Sequence, residues 1–205
     1  MNNRHLFLTS DGLTKNMKTS FFNIIGKRPG EVKILYIPTA GIETDGAREG
    51  IAVCLYELLL MGIQSENILI YNLELILSKG YKRTYSAYVT DGHIASRLIN
   101  TEELKEFDAV FVSGGDSAVL CREMVRTGFG CAIEQAVNAG LVYVGISAGS
   151  MYAAGNLEKG LNIIPNPIIP HWNGDKLTSL PIGSEEIKLA DGQTIYVEGY
   201  NICLI

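Results

Sequence analysis

Histidine is scarce in this chain, with three among 205 residues, and none of them stands at a spacing that metal sites use. The four cysteines, Cys54, Cys121, Cys131 and Cys203, include no Cys-x-x-Cys pair, which argues against structural zinc and against a disulfide framework. No metal and no cofactor is expected. Cys54 and Cys203 lie in apolar runs, where a free thiol packs as a small core residue. Basic blocks are missing too: 17 Lys and Arg against 22 Asp and Glu give a net charge of -5, with no cationic footprint for nucleic acid or an anionic membrane. Apolar runs stay well below the roughly 20 residues a membrane helix needs, and the first residues carry no signal-peptide apolar core. What remains is a cytoplasmic protein whose partner is a small molecule or peptide, with no membrane or nucleic-acid role and an open oligomeric state.

A hydrophobic content of 47% over this length is enough for one α/β domain, spanning residues 1–205. Residues 4–9 and 32–40 read as buried strands. Between them Leu13, Met17, Phe21, Ile24 and Ile25 share one helical face, and Ala52, Leu55, Leu58, Leu59 and Ile63 repeat the pattern. Further strands are expected at 68–73, 109–113 and 141–146, with helices at 98–105, 119–126 and 131–138. This alternation implies a mostly parallel sheet covered on both faces. Residues 79–93, with Tyr81, Tyr85 and Tyr88, break the rhythm and read either as a connector or as an excursion near the site. Beyond Gly155 short β-like runs follow at 161–164, 168–169, 186–189 and 194–198, broken by Pro165, Pro167 and Pro170.

The strand at 141–146 runs into Gly145-Ile146-Ser147-Ala148-Gly149, the spacing of a nucleophile elbow. A serine on so tight a strand-to-helix turn needs neighbours without a Cβ, and it presents its hydroxyl at the positive end of the next helix. A plain serine N-cap gives the same local pattern. A serine hydroxyl is a poor nucleophile unless an imidazole takes its proton and a third group orients that imidazole. His5 precedes the first strand, at the sheet edge where sites are not built, and His93 lies in the irregular segment. His171 follows the elbow in a proline-framed loop and is the candidate base. Downstream acids are Asp175, Glu185, Glu186, Asp191 and Glu198. Asp191, in Ala190-Asp191-Gly192, is either the orienting acid or an ordinary hairpin turn residue. The strand ending at Ser113 runs into Gly114-Gly115-Asp116, so the Gly115 and Ala148 N–H groups are the candidate oxyanion hole. Gly114, Asp116 and Trp172 flank these groups as candidate substrate-binding residues.

Gly114-Gly115-Asp116, the elbow around Ser147 and Pro170-His171-Trp172, in this order on a doubly wound frame, resemble the aspartyl dipeptidase (dipeptidase E) family of serine peptidases, to which cyanophycinases are related. The resemblance implies a three-layer flavodoxin-like fold, akin to class I glutamine amidotransferases, with serine in place of cysteine at the elbow. It also implies a Ser-His-Glu triad in which Ser147 is nucleophile and His171 base. The family's acid is a glutamate in a Pro-Glu-Gly turn, and the matching stretch Ala190-Asp191-Gly192 ranks Asp191 above Glu198. In family members that cleave Asp-X peptides, an arginine between base and acid binds the substrate carboxylate. Here that stretch holds Lys176 and Lys188 and no arginine. Lysine attracts a carboxylate but lacks the bidentate fork.

The expectation is a serine peptidase for short peptides, dipeptides with an acidic or polar first residue, acting through an acyl-enzyme. A non-catalytic peptide- or metabolite-binding relative, and an esterase or amidase with the same site, are the alternatives, because an elbow does not specify the leaving group.

Overall fold

The computed structural model describes residues 4–76, 97–181, 183 and 185–205. Residues 79–93, including His93 and the three tyrosines, lie outside the described residues. The strands are β1 (His5–Thr9), β2 (Ile34–Ile37), β3 (Ile68–Ile70), β4 (Ala109–Val112), β5 (Val142–Ile146), β6 (Ile168–Ile169), β7 (Ile187–Lys188), β8 (Thr194–Glu198) and β9 (Asn201–Leu204). The helices are α1 (Lys15–Ile25), α2 (Ala47–Leu60), α3 (Thr101–Leu104), α4 (Ser117–Thr127), α5 (Phe129–Asn138) and α6 (Ala148–Ala153).

Seven strands form one sheet in the order β3-β2-β4-β5-β1-β8-β9. The first five are parallel, and β8 and β9 add antiparallel to the β1 edge. Period-two alternation sends side chains to opposite faces. Phe7, Tyr36, Phe111 and Val144 pack with Met17 and Phe21 of α1 and Cys54 and Leu58 of α2. Leu8, Leu35, Val110, Val112 and Tyr143 pack on the other face with residues of α4, α5 and α6. The result is the three-layer, mostly parallel α/β fold, flavodoxin-like, with a covered sheet whose strands are apolar throughout.

Register places the functional loops. Thr9 pairs with Ile146 on one side and with Thr194 on the other, so these three residues form one row across the sheet. Ser10, Ser147 and the turn just before Thr194 therefore emerge together at the carboxyl edge of the parallel strands. One strand further, Val112 pairs with Gly145 and with Ile37, which brings the Gly114-Gly115 turn to the same edge. Ligands in open α/β sheets bind at this edge. His5 sits at the opposite end of β1, bonded through Nδ1 to the Tyr196 hydroxyl at 2.8 Å.

Three expectations change, and one strand is added. Residues 161–164 form no strand; their backbone is tied to α6 through Leu161 N–H to Tyr152 O and Ile163 N–H to Ala153 O. The last strand, β9, gave no separate sequence signal because Asn201–Leu204 is short and mostly exposed at the sheet edge. Cys203 lies on that strand and is exposed, whereas Cys54 is buried as expected. The buried face of α2 runs through Cys54 and Leu58, and Ala52 and Leu59 point outward. Among the described residues no helix is long and apolar enough to cross a membrane.

Candidate active site

Ser147 caps α6 with φ 48° and ψ -104°, a backbone conformation that a non-glycine residue adopts at a cost of order 1–3 kcal/mol. Neighbouring structure holds it there. Ser147 N–H donates to Thr9 O at 3.0 Å, and the Ser150 hydroxyl lies 2.8 Å from both Thr9 O and Gly145 O. The glycines at both sides answer to close approach: a Cβ on Gly145 would lie 2.7 Å from the Gly149 backbone, and one on Gly149 would lie 2.3 Å from Val112 O. The elbow spacing is thus a packing requirement between β4, β5 and α6.

His171 is delivered by a separate scaffold. The short parallel pair β6 and β7 brackets its loop, with Leu189 N–H donating to Ile169 O at 2.9 Å and Trp172 N–H to Leu189 O at 3.2 Å. At φ 55° its backbone is also left-handed, which turns the ring toward the elbow. His171 Nε2 lies 3.0 Å from Ser147 Oγ, and His171 Nδ1 lies 2.9 Å from Asp191 Oδ1. A carboxylate accepts only, so Nδ1 carries the proton and Nε2 is left to accept from the serine hydroxyl. Glu198 is the last residue of β8 and pairs with His5, at the far end of the sheet from Ser147.

Two residues that sequence reasoning did not single out complete the contact. The Ser10 hydroxyl accepts His171 N–H at 2.6 Å and donates to Asp191 Oδ1 at 2.7 Å. Asp11 Oδ1 accepts Gly192 N–H at 2.7 Å and pins the turn that carries Asp191. Their signal was positional: they follow β1 immediately, and β1 borders β5 in a parallel sheet. Gln193 adds a clamp, accepting from Leu177 N–H at 3.1 Å and donating to Leu177 O at 2.8 Å.

Gly115 has φ 130°, and a Cβ there would fall 2.0 Å from Ala40 O. Neither its N–H nor that of Ala148, the first residue of α6, donates to another described group. Gly114 packs against the elbow, its added Cβ being 3.2 Å from Ser147 Cβ. Gly114, Gly115, Ser147 and His171 line a cleft of about 690 Å³, within the range of small-ligand sites. Asp116 and Trp172 do not line it. The Asp116 carboxylate caps α4, accepting from Ala118 N–H at 2.7 Å and Val119 N–H at 3.1 Å. Trp172 lies under Lys188, whose Nζ is 4.6 Å from the ring centre. Among the described residues no group of His, Cys, Asp and Glu could hold a metal ion.

A doubly wound α/β chain with a strained serine at the end of a central strand, facing a histidine and an acid, defines the class of serine-elbow proteins. Residues 92–204 match the description "Peptidase family S51", and the chain belongs to that family. It is similar to peptidase E of Streptomyces coelicolor, with 39% identity over 82 residues that cover 34% of each chain. An uncharacterized peptidase of Pasteurella multocida is 29% identical over 108 residues, 44% of this chain and 50% of the relative. The alignments thus span about half or less of these curated relatives. A peptidase structure from an acI-B1 Actinobacterium has a TM-score of 0.62 at 19% identity, covering 99% of this chain and 87% of that one. A Listeria monocytogenes structure assigned to peptidase E gives 0.63 at 22%, covering 99% and 98%. At such identities the structural likeness establishes the fold.

Proposed function

We propose that this chain is a serine peptidase hydrolysing short peptides, with Ser147 as nucleophile, His171 as general base and acid, and Asp191 as the group that orients the imidazole. The observation that carries it is the unbroken contact from Ser147 Oγ to His171 Nε2 at 3.0 Å and from His171 Nδ1 to Asp191 Oδ1 at 2.9 Å. Family membership and relatives named as peptidases support the same reading.

Ser147 Oγ attacks the scissile carbonyl carbon while its proton passes to His171 Nε2. The oxyanion forms facing the Gly115 and Ala148 N–H groups, at the positive end of α6. Collapse breaks the C–N bond, and His171 returns the proton to the leaving amine. Water then repeats the sequence on the acyl-enzyme. Asp191 holds the productive tautomer and stabilises the imidazolium. A dipeptide with an acidic or polar first residue is the substrate the family resemblance suggests, and the polar member of that pair suits this cleft. Among the described residues lining it are Asp11 and Glu57, and no lysine or arginine.

The test is intact mass after incubation with a fluorophosphonate serine reagent, on wild type and Ser147→Ala. One adduct on wild type, absent from the variant, is expected, followed by turnover in a dipeptide panel. Folded wild type that takes no adduct would overturn the proposal and favour a binding role; ester turnover far exceeding any peptide turnover would favour an esterase.

A further inference from the structure

We infer that the cleft beside Ser147 is a subsite for a primary ammonium carried on an apolar stem, so that the favoured substrate presents a lysine-like side chain on the acyl side of the scissile bond. The inference rests on the serine-peptidase reading and adds the substrate class to it.

Three buried polar atoms in the described structure have no partner at full hydrogen-bond geometry: the Ser113 hydroxyl, the Tyr36 hydroxyl, whose polar neighbour is the Cys54 thiol, and Glu57 Oε2, whose neighbour is Lys18. All three residues line this one cleft. Tyr36 is 0% exposed and Ser113 2%, and hydroxyls buried to that degree are nearly always satisfied. Register puts the two on one sheet face. Tyr36 of β2 pairs with Phe111 of β4, and Ser113 lies two residues beyond Phe111. Glu57 comes from α2, which covers that face.

The set suits an ammonium. An ammonium offers three donors and no acceptor, and a carboxylate with two hydroxyl oxygens offers three acceptors. Cys54 on α2, a neighbour of both Tyr36 and Glu57, adds no competing charge, since burial pushes its thiol up to about 12. Burial also pushes the Tyr36 hydroxyl up, so it stays neutral. The chain already brings an ammonium toward Glu57: Lys18 Nζ lies 3.5 Å from Oε2, a loose charge contact with both side chains about a third exposed. Such an exposed pair is weakly held, and a substrate ammonium arriving along the cleft can replace it. The cleft lining also includes Leu13, Ile51, Val53 and Ile146, which suit a methylene stem. A substrate carboxylate in the same place would face Asp11 and Glu57, the one nearby ammonium, Lys18, being held by Glu57 from outside the lining, which has no lysine or arginine among the described residues.

Two diphenyl phosphonates test this, one with a 4-aminobutyl side chain and one with the isosteric pentyl chain. Each phosphonylates Ser147 with loss of phenol, the serine proton passing to His171. Wild type should react at least about tenfold faster with the aminobutyl reagent, the scale of one charge-assisted hydrogen-bonded contact. In Glu57→Gln the ratio should fall toward one, and in Ser113→Ala it should fall part of the way. Because both reagents are compared within each variant, a general loss of reactivity cancels. Equal rates in wild type, or a ratio unchanged in folded Glu57→Gln, would overturn the ammonium subsite while leaving the peptidase reading intact. Failure of Ser147 to react with these reagents and with the fluorophosphonate would overturn both.

Discussion

Ser10 donates its hydroxyl proton to Asp191 Oδ1 at 2.7 Å while accepting His171 N–H at 2.6 Å, so one fully buried side chain ties the base to its acid. The His171–Asp191 contact needs this support, since its side chains are 54% and 57% exposed and solvent screens their attraction. Ser10→Ala removes both bonds and leaves the His171 N–H without a partner, at a cost of about 1–3 kcal/mol. The expected outcome is a fluorophosphonate inactivation rate lowered about tenfold or more, because small misplacements of a base are costly, together with a lower melting temperature. An unchanged rate in a folded variant would show that Asp191 alone orients the imidazole.

Asp191 tests the acid. Asp191→Asn keeps the shape but lets the amide donate toward Nδ1, favouring the wrong tautomer; a loss of about 10²–10⁴ in kcat is expected, as for other triads. Asp191→Glu carries the longer acid of the family resemblance. Here the carboxylate is seated by Ser10 at 2.7 Å and its turn is pinned by Asp11 at 2.7 Å, a geometry fitted to aspartate. Asp191→Glu should therefore retain part of the activity and lie between wild type and Asp191→Asn. Steady-state kinetics on one responsive peptide ranks the three.

Much of this arrangement was legible in the sequence, for reasons that show where reading stops. The elbow could be read because its constraint is local: Gly145 and Gly149 are required by contacts under 3 Å within one strand-turn-helix unit and its neighbour. His171 could be read by exclusion, with His5 at the far edge and chain order favouring the later histidine. Asp191 stayed open because its partner lies 20 residues back, and only the row Ile146, Thr9, Thr194 brings the turn to the elbow. Ser10 and the Tyr36–Ser113–Glu57 set were invisible, since their roles depend on strand order and on which face of β2 and β4 the helix α2 covers. Periodicity misplaced the buried face of α2 for a related reason: an apolar helix with Val53, Tyr56 and Leu60 exposed carries no clear stripe to read.

Gly115 is a position where any side chain conflicts with the fold. With φ at 130° and a Cβ falling 2.0 Å from Ala40 O, Gly115→Ala must shift the Gly114-Gly115 turn away from β2. In the proposed mechanism the same turn supplies the Gly115 N–H to the oxyanion. A folded Gly115→Ala should lose at least about 2.7 kcal/mol of transition-state stabilisation, the scale of one oxyanion donor. The measurement is kcat with KM on the same peptide, where a fall in kcat at nearly constant KM marks the lost donor.

Glu123 gives a prediction about stability that leaves the site aside. Burial pushes its carboxyl up, but hydrogen bonds from Arg126 Nε at 2.6 Å and Arg122 Nε at 3.0 Å, with their charges, outweigh burial and hold it below the usual 4.5. Arg126 in turn donates to Leu73 O and Ile76 O at 2.7 Å, so the carboxylate anchors the segment after β3 to α4. A carboxyl depressed on folding stabilises the native state above its unfolded pKa, and that contribution is lost as pH falls through the folded value. Wild type should lose stability in urea as pH drops below about 4.5, and part of that loss should be missing in Glu123→Gln. At neutral pH the variant should be less stable by about 1–3 kcal/mol, since the partners' exposure screens the pair but the hydrogen bonds remain charge-assisted. Equal acid dependence in both proteins would assign the acid transition to other carboxylates.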